Sequence, residues 1–198
     1  MRHGLRTWGR RNGARAGTLG TELENLTLTG TAAINATGNT LANVLTGNAG
    51  ANRLSGSGGN DTLRGLAGSD TLLGGAGADV LEGGVGRDQL TGGTGGDHFR
   101  FASAPSGANA DRITDFRPID DRIDLDNGGF TRLGAPGHLA AAAFRAGTVA
   151  RDTSDRVIFN ENNGQLLYDP DGTGSAHAVL FATVTPGVHV TVSDLFVV

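Results

Sequence analysis

From Gly38 to Arg100 a large apolar side chain recurs every nine residues: Leu45, Leu54, Leu63, Leu72, Leu81, Leu90 and Phe99. The flanking positions are mostly polar, as in Thr62-Leu63-Arg64. That alternation predicts a short strand of three residues with one side chain turned inward. Between these strands lie glycine-rich stretches, which predict turns. One turn plus one strand is half a coil, so two units complete a winding. A unit with a single leucine buries nothing alone, and the windings must stack on one another.

Five units keep the nine-residue pattern strictly, starting at Gly56, Gly65, Gly74, Gly83 and Gly92. Position four is always glycine, and position six is Asp61, Asp70, Asp79, Asp88 and Asp97. Two looser units precede them from Gly38 and Gly47, with Asn43 and Asn52 in the aspartate place; together with Asn35 they read as an asparagine ladder. Glycines at positions one, two and four are expected to adopt positive φ and turn carbonyl oxygens inward without a Cβ clash. The aspartate adds a carboxylate beside those carbonyls. Such an oxygen-only donor set suits Ca²⁺. A stack of carboxylates with no cation would repel itself, and a flexible linker needs no apolar residue at every ninth place.

Composition sharpens this picture. Glycine accounts for 34 of 198 residues, and aromatic residues for only 5%. The net charge is −4, but five arginines fall in the first sixteen residues; the rest carries 11 basic against 20 acidic residues, or −9. Sixteen of the acids are Asp and four are Glu, a skew toward short oxygen ligands. Beyond Arg15 there is no basic footprint for nucleic acid. Cysteine is absent, which excludes disulfides and thiolate metal sites. No apolar run is long enough to span a membrane. Residues 1–18 read as a disordered or artefactual basic tail without the apolar core of a Sec-type signal peptide.

The five units resemble the glycine- and aspartate-rich G-G-x-G-x-D-x-U-x repeats of RTX proteins, found in haemolysin-type toxins and serralysin-type proteases. The resemblance implies an all-β fold: a parallel β-roll (a calcium-binding β-solenoid) over residues 19–101, then a small β-rich C-terminal cap over 102–198. It also implies ions between turns two units apart. Ser57, Gly59 and Asp61 would then face Gly74, Ala76 and Asp79. Leu66, Gly68 and Asp70 would face Gly83, Val85 and Asp88. Gly75, Gly77 and Asp79 would face Gly92, Thr94 and Asp97. A weaker site would join Asn48, Gly50 and Asn52 to Gly65, Ala67 and Asp70, for about three to five Ca²⁺ in all. The lead-in around Glu24-Asn-Leu-Thr-Leu-Thr-Gly30 extends the resemblance upstream.

Beyond Arg100 the period stops. Leu139–Phe144 is a short helix candidate. Arg156–Phe159 and Gln165–Tyr168 are expected to form a hairpin, with further strands at Val179–Thr183 and Val188–Val192. The segments Asp111–Phe116, Asp120–Leu125, Ala141–Phe144 and Leu167–Gly174 resemble the C-terminal domain of serralysin-type proteins. Asp169-Pro-Asp-Gly172 reads as a solvated turn, since Leu180 stands where an EF-hand needs its glutamate. Asp115, Asp120, Asp121 and Asp124 could close the last calcium position or serve as turn and surface residues. The final Asp194-Leu-Phe-Val-Val198 reads as an edge strand, and resembles the acid-plus-hydrophobic tail recognised by type I secretion machinery.

No catalytic constellation is present. Among His3, His98, His138, His177 and His189 no two lie four apart around a glutamate, as a zinc protease requires. His98 is expected to face solvent. The leading expectation is a non-enzymatic, calcium-binding module of a secreted, extracellular bacterial protein, folding on external Ca²⁺ and exported through its C-terminus, with its upstream effector domain missing. The alternatives are the C-terminal fragment of a serralysin-type zinc metalloprotease, or a structural or adhesive spacer of a surface protein.

Overall fold

In the computed structural model, the structure describes residues 17–198 and the backbone of residues 5–8. The lead-in supplies β1 (Leu5–Trp8), β2 (Gly17–Thr18), β3 (Asn25–Leu28), β4 (Ala36–Thr37) and β5 (Val44–Thr46). The strict repeats supply β6 (Arg53–Gly58), β7 (Thr62–Ala67), β8 (Thr71–Ala76), β9 (Val80–Val85), β10 (Gln89–Thr94) and β11 (His98–Phe101). The remainder supplies β12 (Asp111–Ile113), β13 (Arg122–Leu125), β14 (Gly137–His138), β15 (Phe144–Ala146), β16 (Val157–Asn160), β17 (Gln165–Tyr168), β18 (Val179–Thr183) and β19 (Leu195–Val197).

Strands alternate between two sheets. One runs β1-β3-β5-β7-β9-β11-β13-β19-β14, the other β15-β16-β17-β18-β12-β10-β8-β6-β4-β2. Within the repeats every pairing is parallel and offset by eighteen residues: Leu45 opposes Leu63, Leu63 opposes Leu81, and Leu54 opposes Leu72. Two nonapeptides per winding is therefore the observed geometry. The position-eight residues, Leu45 through Leu90 and Phe99, are all fully buried between the sheets.

Two details differ from the expected unit. The strands β6 to β10 are six residues long rather than three, because each continues through positions one to three of the next unit. The inward side of β7 is consequently Leu63 followed by Gly65. Positive φ occurs at positions two and four, as at Gly75 and Gly77, but not at position one. Glycine is needed at position one for space: a Cβ on Gly56 would collide with the Asp61 carboxylate and lie 2.6 Å from the Gly74 carbonyl oxygen.

Both sheets continue past residue 101 without a break. Ile113 extends the row from Leu90, and Ile123 extends it from Phe99. The end is filled by aromatic rings, with Phe181 at 5.3 Å from Phe101 and 5.0 Å from Phe130, and Phe116 at 5.9 Å from Phe99. The hairpin forms as expected, as β16 and β17. The helix candidate shrinks to one 3₁₀ turn at Ala141–Ala143, since Phe144 joins a strand beside Val157. Val188–Val192 is not a strand. It leads into a 3₁₀ turn at Val192–Asp194 closed by Thr191 and Asp194. The terminal strand β19 lies between β13 and β14 rather than at the sheet edge. Leu5–Trp8 pairs with Asn25–Leu28, and Gly17–Thr18 with Ala36–Thr37, where a disordered tail was expected. The rest of that tail lies outside the described residues.

Candidate metal centre

The position-six carboxylates form two ladders, one along each edge where turns lead into a sheet. Each Asp Oδ1 accepts the backbone N–H of the residue one winding earlier. Asp61 donates to Asp79 at 2.7 Å, Asp70 to Asp88 at 2.7 Å and Asp79 to Asp97 at 2.9 Å. Asn43 and Asn52 donate likewise to Asp61 and Asp70, both at 2.7 Å. The second oxygen of every one of these aspartates is different. Oδ2 of Asp61, Asp70, Asp79, Asp88 and Asp97 is buried with no hydrogen-bond partner. A buried, unpartnered carboxylate oxygen is costly unless something pairs with it.

Main-chain oxygens surround these atoms. The position-one carbonyl oxygens of Gly74, Gly83 and Gly92 lie 2.5–2.6 Å from where a Cβ on Gly56, Gly65 and Gly74 would stand, and the unpartnered oxygens of Asp61, Asp70 and Asp79 converge on the same points. The carbonyls of Ser57 and Gly59 lie against Gly75 and Gly77, and those of Leu66 and Gly68 against Gly84 and Gly86. Position three joins the same network: Ala76, Val85 and Thr94 accept the N–H groups of Gly59, Gly68 and Gly77 at 2.8–3.0 Å. Each of those carbonyls keeps a second lone pair. The three sets of residues expected to share an ion are thus brought together in register. Among the described residues no three His, Asp or Glu side chains converge. Along each ladder the donors are one carboxylate per winding plus carbonyls, all oxygen, and this fits a hard cation such as Ca²⁺.

Electrostatics agree with that fit. Burial pushes Asp61 up to about 6, although the Asn43 N–H pulls it down and the Asp79 charge adds to the rise. Burial likewise raises Asp70 to about 7 and Asp97 to about 6, against the backbone N–H groups of Asn52 and Asp79. Asp79 and Asp88 shift the same way for the same reason. Desolvation disfavours the bare anion, and a cation would reverse that preference.

The ladders outrun the repeat. Asp88 donates its backbone N–H to Asp111 Oδ1 at 3.0 Å, and Asp97 to Asp121 Oδ1 at 2.9 Å. Asp111 therefore takes a position-six place that the nine-residue spacing did not reveal. Asp111-Arg-Ile113 and Asp121-Arg-Ile123 repeat the Asp-x-Leu spacing of the units, which is the signal that could have found it. Burial, with the Asp88 charge beside it, raises Asp111 to about 8. The other candidates separate. Asp115 accepts the N–H groups of Gly92 and Gly93 at 2.9 and 2.8 Å and so caps the last unit. Asp120 pairs with Arg117 at 3.0 Å, and Asp124 with Arg122 at 2.8 Å. His98 is partly exposed, 3.5 Å from Asp124. Asn35 is exposed and stands outside both ladders, accepting the Arg53 N–H. Asp169 forms a turn, with Oδ1 accepting from Gly172 at 2.8 Å, but it is buried rather than solvated.

Residues 37–72 and 65–99 match the family described as RTX calcium-binding nonapeptide repeat (4 copies). The chain is also similar to the solution structure of the AlgE6R3 subunit from the Azotobacter vinelandii mannuronan C5-epimerase. The identity is 31%, over 78% of this chain and 77% of that one, with a TM-score of 0.34. Comparison with curated proteins finds no match. The chain therefore carries RTX calcium-binding nonapeptide repeats over residues 37–99, wound into a parallel β-roll.

Proposed function

We propose that this chain is the calcium-driven folding module of a secreted bacterial protein, structural rather than catalytic, with its ions held between windings by the residues paired above. The single observation that supports it most is the row of buried, unpartnered Oδ2 atoms, one on every position-six aspartate. Ser57, Gly59 and Asp61 with Gly74, Ala76 and Asp79 would form one site. Leu66, Gly68 and Asp70 with Gly83, Val85 and Asp88 would form a second, and Gly75, Gly77 and Asp79 with Gly92, Thr94 and Asp97 a third. A bound cation would supply positive charge to oxygens that the fold itself leaves unsatisfied. Because those oxygens converge only when windings stack, binding free energy would become folding free energy.

At cytosolic calcium the acidic chain would stay unrolled and competent for export; at millimolar external calcium it would roll up. The terminal Leu195 and Val197 are buried in β19. Type I secretion machinery would therefore have to read this tail before the chain rolls. Far-ultraviolet circular dichroism with calcium and with EDTA tests the switch. A large gain of β signal on adding calcium is expected, and an equally β-rich spectrum in EDTA would sink it.

A further inference from the structure

The two units below the aspartate ladders, starting at Gly38 and Gly47, are built differently. At position two, Ser57, Leu66, Gly75, Gly84 and Gly93 have positive φ, whereas Asn39 and Asn48 do not. With its peptide turned the other way, Asn39 donates its N–H to Asn43 Oδ1 at 2.7 Å, and Asn48 donates to Asn52 Oδ1 at 2.8 Å. The side-chain oxygen facing Gly47 is thus already occupied, while its counterparts facing Gly56 and Gly65 stay unpartnered.

The amide nitrogens complete the arrangement. Asn39 Nδ2 donates to the carbonyls of Gly20 and Leu23 at 2.6 and 2.8 Å, and Asn48 Nδ2 to those of Thr29 and Ala32 at 3.3 and 3.0 Å. Asn52 Nδ2 bridges Ile34 O at 2.7 Å and Asn48 Oδ1 at 3.1 Å. Asn43 Nδ2 reaches Asn39 Oδ1 at 3.1 Å. Amide protons therefore join these windings to the ones beneath. Asn43, Asn48 and Asn52 are buried, and the contacts of Asn52 with Ile34 and Asn48 are closed to solvent. A neutral amide also carries no penalty for burying a charge.

We propose that the pairs Asn39–Asn43 and Asn48–Asn52 close the first windings with amide protons in place of calcium, so that cation binding starts at Asp61 and Asp70. This rests on the proposed calcium sites at the aspartate windings. It departs from the expectation of a weaker ion between Asn48, Gly50, Asn52 and Gly65, Ala67, Asp70: the Asn52 oxygen there is taken by the Asn48 N–H, Asp70 Oδ1 accepts the Asn52 N–H, and the free Asp70 Oδ2 lies beside the Gly83 carbonyl of the next winding. Position two and position six act as a pair. Glycine with aspartate frees an oxygen for an ion, and asparagine with asparagine consumes it.

Equilibrium dialysis of the full chain against calcium, with bound metal counted, decides the matter. The double variant Asn48→Gly, Asn52→Asp is expected to bind one more ion than the unsubstituted chain. The variant Asn48→Ala, Asn52→Ala is expected to bind the same number, while the amides of Leu26–Leu28 and Val44–Thr46 lose hydrogen-exchange protection in saturating calcium. Binding by the unsubstituted chain with no gain in the first variant, or one ion lost in the second, would overturn the inference alone. No binding by the unsubstituted chain would overturn the proposed function and this inference with it.

Discussion

The backbone N–H of Asp79 donates to Oδ1 of Asp97 at 2.9 Å, and Oδ2 of both residues is buried without a partner. Asp79 borders two intervals between aspartate windings, toward Asp61 and toward Asp97. Of the three proposed sites, Asp97 belongs to one, the site it shares with Asp79. Asp79→Ala should therefore remove more bound calcium than Asp97→Ala. It should also raise the calcium concentration at the folding midpoint by roughly tenfold or more, since affinity follows the number of charged ligands. Calcium titration followed by circular dichroism checks this; equal losses in the two variants would contradict the register.

Acid should mimic the cation weakly. Burial raises the ladder carboxylates above their ordinary value, to about 6 for Asp61 and Asp97, about 7 for Asp70 and about 8 for Asp111. A folded-state pKa above the unfolded one means the rolled, metal-free chain holds protons more tightly than the unrolled chain. Its stability is then greatest below the ordinary carboxylate range and is lost as pH rises through about 6 to 8. In EDTA the roll should be more stable near pH 5 than near pH 8. Thermal melts in EDTA at the two pH values check this, and a roll no more stable near pH 5 than near pH 8 would show that these groups are ionised in the rolled chain.

Gly74→Ala tests the close packing at position one. Its Cβ would strike the Asp79 carboxylate and sit 2.6 Å from the Gly92 carbonyl oxygen, and neither group is free to swing away. A loss of about 1–3 kcal/mol in calcium-saturated stability is expected, together with weaker calcium binding. Gly20→Ala is the control, since its nearest neighbour is Leu23 Cδ1 at 3.9 Å. Comparable destabilisation by both would show that glycine matters here only through chain flexibility.

Two leucines of β7 should respond in opposite ways. Leu63 is fully buried, and Leu63→Ala should cost about 2–5 kcal/mol. Leu66 is 48% exposed and held at φ +77. A left-handed backbone strains a side-chain-bearing residue, so Leu66→Gly should leave stability unchanged or raise it by about 0.5 kcal/mol. Thermal melts in saturating calcium distinguish the two, and a large loss from Leu66→Gly would show that its side chain packs against something essential.

Much of the roll was legible because the repeat writes each structural requirement nine residues apart. The inward leucines, the parallel two-unit register and the aspartate place were all visible in the row from Gly56 to Phe99. Strand length was not. Glycine gives no apolar signal, so the passage of β7 through Gly65 left no mark in the hydrophobic pattern. The cap was harder still: a helix at Leu139–Phe144 was reasonable from alanine content, but pairing of Phe144 with Val157 draws the backbone into a strand.

The sequence by itself determined the winding, since each unit has one residue to bury and one carboxylate to place, and only stacking at eighteen residues satisfies both. It also determined the kind of ligand, oxygen without sulfur. Tertiary structure alone decided which oxygen atoms are left over. Asn43 and Asp61 hold the same place in their units, yet one side-chain oxygen is filled by a backbone N–H and one is not. That difference depends on the direction of a peptide plane four residues earlier. The extension of the ladders to Asp111 and Asp121 was decided the same way, by which strands the cap folds back against β10 and β11.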